Sequence, residues 1–349
     1  MSDRDTLAVA CVREDLRRLC ASGDVVSARP VLDEADLGAA VDQEGHTVLH
    51  LAVRGGHMQL TREILARGCS PDCESVRHVT PLHIASTEKQ PELALELLVA
   101  KANPNATDDV KQTALHMAAK VGSVEVVEVL FGHGDTDRSA VDVANTTALH
   151  IAAEHGHTDV LEYMLSQQMP LTASNDRGWT ALHLAAHGHE KKLNTLKPGK
   201  FGNAVRLLLE ARADVGATDD EKKTPLHRAA NTGNDKTVSL LVLARADVEA
   251  EDICRWRPLH YAVQEGHLLV AKMLLDARAA VQLERPPCLT PLAVATMENH
   301  VKIAELLFTY KADPNLRAKG LASPIMIARK DPIHGEILSL FELGYIHHE

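Results

Sequence analysis

Short apolar runs with helical spacing, each ended by a glycine or a polar turn, recur along the chain. In the stretch that begins at Thr80, Leu82 and Ala85 fall one turn apart, as Leu49 and Ala52 do one period earlier, and each pair marks a buried stripe. Thr80 is a good N-cap, Pro81 suits the first helical position, and His83 stands at N3, where a side chain can reach back toward the cap. Further on, Gly156 and His157 break such a helix, and Val160, Leu161, Met164 and Leu165 supply the stripe of a second one. The pattern predicts pairs of short antiparallel helices. Between the pairs, stretches such as 105–112 (NATDDVKQ) and 217–223 (ATDDEKK) are polar turn sequences without helical spacing.

These pairs repeat. TVLHLA begins at Thr47, TPLHIA at Thr80, TALHMA at Thr113, TALHIA at Thr147, TALHLA at Thr180, TPLHRA at Thr224 and RPLHYA at Arg257. Two weaker copies follow, TPLAVA at Thr290 and SPIMIA at Ser323, and the nine starts are separated by 33, 33, 34, 33, 44, 33, 33 and 33 residues. The motifs resemble the ankyrin family, whose repeat of about 33 residues carries a T-P-L-H-x-A signature. The resemblance runs from about Glu14 to the carboxyl end, because EDLRRLCASGD at 14–24 aligns Leu16 with Leu49 and Gly23 with Gly56. It implies an all-α repeat solenoid, a curved stack of helix-turn-helix units with β-hairpin fingers. The expected organisation is an N-terminal region and capping repeat at 1–46, eight repeats at 47–322, and a C-terminal capping repeat at 323–349, where Arg329, Lys330 and Asp331 place charge on the last unit. Each repeat alone leaves an apolar side uncovered, so stability should come from stacking on neighbours.

The 44-residue interval implies an insert near 191–201 (KKLNTLKPGKF) between the two helices of one repeat. It holds Lys191, Lys192, Lys197 and Lys200 and no acid. The expectation is a mobile basic loop whose removal costs little stability and which offers an auxiliary contact to an acidic partner.

Composition narrows the function. A net charge of −11 is the wrong sign for neutralising phosphates along a groove, which argues against nucleic acid. Aromatics are only 3% of the 349 residues, so the core must be aliphatic. No stretch approaches the roughly 18 apolar residues of a membrane span, and the first residues do not read as a signal peptide. The six Cys form no CxxC pair, which suits a reducing, cytoplasmic setting, with cytoskeletal, ciliary or nuclear association compatible with it. Of the 20 His, seven (His50, His83, His116, His150, His183, His227, His260) stand at N3 of the signature and His57, His157 and His267 follow a turn glycine, so their roles read as structural. His187, His189 and Glu190 superficially suggest a zinc helix, but HExxH needs a second His where Leu193 stands. Cys69 and Cys73, with no second pair nearby, read as two unrelated small residues. No metal site, cofactor, small-molecule ligand or catalytic motif is expected: there is no P-loop, GxGxxG or GxSxG. Asn105 and Asn315 resemble the hairpin asparagines that an oxygen-dependent asparaginyl hydroxylase modifies in some ankyrin proteins; the alternative is an Asn that simply suits a turn.

The resemblance implies a non-enzymatic scaffold or adaptor that grips protein partners along its concave face, either more than one partner or one elongated assembly. A cytoskeletal or ciliary structural component is the alternative, and a metal-dependent regulator or enzyme subunit hidden in the His-rich repeats is a more distant one. The two tryptophans, Trp179 and Trp256, each precede a signature by one residue, where other repeats carry His46, Val79, Gln112, Thr146, Lys223, Leu289 and Ala322. A core position would not accept that mixture, and in the family this position faces the binding groove. With Asp176, Arg177 and His187 beside one and Ile253, Arg255 and Gln264 beside the other, the expected interface centre is rich in Trp and Arg. The competing reading is that each Trp covers the neighbouring finger.

Overall fold

A computed structural model describes residues 14, 17–19, 22–34, 36–188, 200–282, 289–317 and 320–346. They form two compact units, Met1–Ala152 with Asp159–Pro170, and Ala153–Thr158 with Leu171–Glu349. In the first unit lie helices α1 (Val25–Glu34), α2 (Val48–Arg54), α3 (Met58–Ala66), α4 (Pro81–Thr87), α5 (Pro91–Val99), α6 (Ala114–Val121) and α7 (Val124–Gly132). The hairpin of α8 (Ala148–His155) and α9 (Thr158–Ser166) carries the boundary. The second unit holds α10 (Ala181–His187), α11 (Lys200–Glu210), α12 (Pro225–Thr232), α13 (Asp235–Leu243), α14 (Pro258–Gln264), α15 (Leu268–Asp276), α16 (Pro291–Met297), α17 (Val301–Thr309), α18 (Pro324–Lys330) and α19 (Gly335–Ile346). No described helix is long and apolar enough to cross a membrane.

Within each unit the signature helices stack on one another, α2 on α4 on α6 and α10 on α12 on α14, while the second helices form a parallel row, α3 on α5 on α7 and α11 on α13 on α15. Small residues at the inner contacts, Ala118 with Ala119, Ala185 with Ala186 and Ala229 with Ala230, are fully buried and let the inner helices approach closely. Gly233 shows why glycine ends such a helix. It adopts φ +73°, and a Cβ there would stand 2.4 Å from Nδ1 of His267, the turn histidine of the next repeat. His267 Nε2 in turn donates to the Asn231 carbonyl at 3.0 Å.

The signature histidine performs the same task on a larger scale. In seven repeats its Nδ1 accepts the backbone N–H of the N-cap residue, as for Thr80 to His83 at 3.1 Å and Thr224 to His227 at 3.0 Å. An accepting Nδ1 leaves the ring proton on Nε2. That proton is donated to a carbonyl of the next finger: His50 to Val79 at 2.8 Å, His83 to Gln112 at 2.9 Å, His116 to Thr146, His183 to Lys223 and His227 to Trp256 at 3.0 Å, and His260 to Leu289 at 3.1 Å. One neutral ring caps its own helix and ties down its neighbour.

The fingers and the insert depart from expectation. Among the described residues there is no strand, only an isolated bridge between Val141 and Thr147, so the connections are tight turns rather than β-hairpins. Residues 189–199 lie outside the described residues, and with them Lys191, Lys192, Lys197 and the His189, Glu190 and Leu193 of the zinc-like sequence. The end of the supposed loop is helical and packed. Phe201 in α11 is 1% exposed and presses on Gly188, where a Cβ would meet its ring at 2.0 Å. Lys200 is half-buried and donates to the His155 carbonyl at 2.9 Å, so it is no free basic contact. Sequence spacing located the extra residues but could not tell where the second helix resumes.

Two predictions follow from this packing. Phe201→Ala should cost about 3–5 kcal/mol, and deletion of 191–201 as a block should lower the melting temperature substantially, measured by thermal and urea unfolding. The histidine bridges make stability depend on pH. Burial holds the imidazoles of His83, His116, His183 and His227 below their ordinary value and His260 at about 4. The unfolded chain therefore takes up the protons first. The contribution is complete above about pH 6.5 and is lost as pH falls below it, for His260 toward about 4. In His227→Ala the shortfall in unfolding free energy at neutral pH, about 1–3 kcal/mol, should shrink as the pH falls below about 6.5.

Candidate functional site: the finger face

Each finger opens on a polar residue five positions before the signature, and its side chain holds the turn. Asp108 Oδ1 accepts the N–H groups of Val110 and Gln112 at 3.0 and 2.7 Å, Asp219 those of Glu221 and Lys223 at 2.9 and 2.8 Å, and Asp252 those of Cys254 and Trp256 at 2.8 Å each. Asn175 does the same for Arg177 and Trp179 at 3.0 Å. Three residues on, the chain passes through a left-handed conformation, at Gly45, His78, Lys111, Asn145, Gly178, Lys222 and Arg255. Neighbouring fingers are joined by main-chain bonds: Val76 to Glu44, Asp109 to Arg77 and Val143 to Val110 in the first unit, and Asp220 to Arg177 and Ile253 to Glu221 in the second.

On this frame the second unit assembles a continuous strip of aromatic and charged side chains. The Arg228 guanidinium lies 4.2 Å over the Trp179 ring, and the imidazole of His187 meets the same ring edge-on at 5.1 Å. Arg228 also pairs with Asp219 and, at 3.3 Å, with Glu221. Glu221 accepts Lys223 Nζ at 2.9 Å, and that ammonium lies 5.1 Å over the Tyr261 ring. Tyr261 packs edge-on against Trp256 at 5.3 Å and donates its hydroxyl to Asp252 at 2.6 Å. Burial, then the Asp252 carboxylate, hold the phenol in its protonated form well above its ordinary value. The Glu221 carboxyl is held below its usual range, chiefly by Lys223.

The first unit offers a groove of about 590 Å³ between its fingers and inner helices, lined by Glu44, His46, Arg54, Val76, Arg77 and Glu88 among others. Val76 is 70% exposed on its wall. Asp42, Glu44 and His46 bring their ligand atoms close enough to surround a cation. Hydrogen bonding accounts for the trio without one. Asp42 Oδ1 accepts the His46 N–H at 2.8 Å as in the other fingers, Arg54 donates to His46 Nε2 at 3.0 Å, and the Nδ1 proton faces Asp42 at 2.7 Å and Glu44 at 3.3 Å.

The profile described as "Ankyrin repeats (3 copies)" matches residues 16–108, 82–172, 115–201 and 197–285, and that described as "Ankyrin repeat" matches 289–319. The chain belongs to the ankyrin-repeat family. Similar ankyrin-containing relatives include the nuclear factor NF-kappa-B p105 subunit of Gallus gallus, 31% identical over 212 residues, 58% of this chain and 20% of the relative. The probable 26S proteasome regulatory subunit p28 of Saccharomyces cerevisiae is 30% identical over 105 residues, 30% of this chain and 46% of the relative. The B-cell lymphoma 3 protein homolog of Mus musculus is 27% identical over 210 residues, 59% of this chain and 38% of the relative. The chain thus spans from a fifth to less than half of the length of these relatives. Ankyrin repeats are in general protein-interaction modules and are typically not enzymes.

Against that ankyrin frame the sequence-derived site residues sort clearly. Trp179 is only 7% exposed, so the inference that its position could not be a buried one is wrong: the ring is covered by Arg228 and His187, with Arg177 at 5.9 Å. Trp256 is half-buried, Ile253 is 59% exposed, and Asp176, Arg177, His187 and Arg255 are exposed. Gln264 stands at the far end of α14, where its carbonyl accepts His300 Nε2 at 3.1 Å. Asn105 is engaged within the fold, donating to the Asp135 carbonyl and accepting the Asp137 N–H, both at 2.7 Å, while Asn315 is exposed. Arg228, Tyr261 and Lys223 were missed. Their signal was in the signature itself, since the residue after the histidine is Leu51, Ile84, Met117, Ile151 and Leu184 in the earlier repeats but Arg228 and Tyr261 in these two. Replacing Arg228 by Ala should uncover Trp179. In a Trp256→Phe background, where Trp179 is the sole emitter, acrylamide quenching should rise and the emission move to the red.

Proposed function

We propose that the chain is a non-enzymatic scaffold or adaptor that binds protein through the finger and inner-helix face, and that the centre of one contact lies on the strip that joins Trp179, Arg228, Lys223, Tyr261 and Trp256. The observation that carries the reading is the composition of that strip. Stacked aromatics interleaved with Arg and paired acids, rimmed by the exposed Ile253, Arg255, Asp176 and Arg177, match the makeup of interface centres, where Trp, Tyr and Arg supply most of the energy. In this reading the partner meets Trp256, Tyr261 and the guanidinium of Arg228, while Trp179 supports them from beneath. A standard interface needs about 800 Å² per partner, which a few repeats supply, so two partners or one elongated assembly fit on the array. Two of the relatives are named as subunits, which agrees with a component of a larger assembly.

The test is capture of partners from the native cell by the full chain, quantified by mass spectrometry and followed by affinity measurement on the recovered protein. Trp256→Ala and Tyr261→Ala should each weaken binding by about 2 kcal/mol, near thirtyfold, with melting temperature nearly unchanged, whereas Trp179→Ala should also destabilise the fold. Normal binding by both Trp256→Ala and Tyr261→Ala would overturn the assignment of the strip.

A further inference from the structure

The outer helices of the second unit, α11, α13, α15 and α17, end alike. Two main-chain bonds close the first of these ends, from the Arg212 N–H to the Leu209 carbonyl and from the Ala213 N–H to the Leu208 carbonyl, both at 2.9 Å. The same pair recurs from Arg245 and Ala246, from Arg278 and Ala279, and from Lys311 and Ala312. The residue that turns the chain is left-handed, with φ 66° at Arg212, 64° at Arg245, 70° at Arg278 and 65° at Lys311. Glycine takes this conformation at the least cost, and Gly68 holds the equivalent place in the first unit. Four consecutive repeats carry a cation there instead, on a chain whose net charge is −11.

Each of the four cations is exposed, and among the described residues none makes an ion pair or a side-chain hydrogen bond. The acids beside them are engaged elsewhere. Glu210 pairs with Arg206 at 2.7 Å, and Asp276 accepts the Tyr310 hydroxyl. Asp214, Asp247 and Asp313 each accept an N–H of their own turn, from Gly216, Glu249 and Asn315, at 2.8–2.9 Å. In the first unit, by contrast, Arg62, Arg67 and Arg77 are all paired with carboxylates. Because α11 packs on α13, α13 on α15 and α15 on α17, the four side chains leave matching backbone frames in one row. None of them belongs to the aromatic strip on the fingers.

We propose that this row is a second docking surface, for an extended acidic protein segment that carries a carboxylate at every third residue. Packed helices lie about 8–10 Å apart, so the cations repeat at about that interval and the row spans about 30 Å. A polyproline II segment rises about 3.1 Å per residue with three residues per turn, which returns every third side chain to the same face after about 9 Å. A β-strand of similar rise alternates faces and would turn every second such carboxylate away. A nucleic-acid strand fits less well: its phosphates come about every 3.4 Å along a duplex, and the surplus ones would face Asp214, Asp247 and Asp313.

The experiment titrates the full chain into a fluorescein-labelled peptide, Glu-Pro-Pro repeated three times and closed by a fourth Glu, and follows anisotropy at low ionic strength. The control peptide has the same composition with its four Glu adjacent. The spaced peptide should bind, should bind more tightly than the control, and should lose affinity as salt is added. Arg212→Gly, Arg245→Gly and Arg278→Gly together should weaken it at least about tenfold, since each exposed pair contributes up to about fivefold. The melting temperature of that variant should hold or rise, because glycine relieves the left-handed turns. Glutamine at the same three places gives a second neutral variant and should lose as much affinity, whereas lysine, which keeps the charge, should restore most of it. Trp256→Ala should leave peptide binding unchanged, so failure of the finger strip and failure of this row are told apart. A wild-type chain that does not bind the spaced peptide, equal binding of the control, or full affinity in a folded neutral variant would each overturn the proposal.

Discussion

The rest of the fold depends on a single imidazole used twice. At N3 of an inner helix, Nδ1 accepts the N–H of the cap residue, which fixes the tautomer, and the remaining N–H reaches a carbonyl on the following finger. Helix start and finger position are therefore not independent choices. A repeat without its neighbour would leave that buried donor unpaired, so the sequence of one repeat carries part of the folding information of the next. Lysine at this place could donate to the finger but could not accept the cap N–H.

Because the fingers are tied to the helices beneath them and to one another, their side chains project from a fixed frame. That is what allows the strip in the second unit to form. Asp219 and Asp252 each spend one carboxylate oxygen on their own turn and offer the other to Arg228 or Tyr261. The staple of a loop thus becomes the anchor of a surface residue. The charges on the strip are mutually satisfied, and the aromatic rings lie between them with restricted rotamers, so little entropy is lost when a second surface covers them.

Much of this was legible in the sequence, and the failures have physical reasons. The repeat, the caps and the turn glycines are local devices with fixed spacing, so they could be read directly, and the bridging role of the histidines was half visible: N3 gave the cap, but the acceptor lies some thirty residues away on another repeat. Trp179 was misread because variability at its position argued for exposure, whereas burial there is supplied by Arg228 from the adjacent repeat, a contact that no local pattern encodes. The insert was misplaced at its end because Phe201 follows Pro198 and Gly199, residues that read as loop, although its ring fills the space beside Gly188.

Among the described residues seven fingers pass through a left-handed residue, and Gly45 and Gly178 occupy it without a side chain; the others are His78, Lys111, Asn145, Lys222 and Arg255. A side chain there costs about 1–2 kcal/mol relative to glycine, tolerated because the staple and the main-chain ladder hold the turn regardless of what stands at its crest. The crest is accordingly a place where identity and conformation are uncoupled: the backbone trajectory is set by its neighbours, and a change of residue alters the charge or reach of the tip at a small, nearly constant penalty. Recognition can drift at these positions one repeat at a time while the architecture stays put.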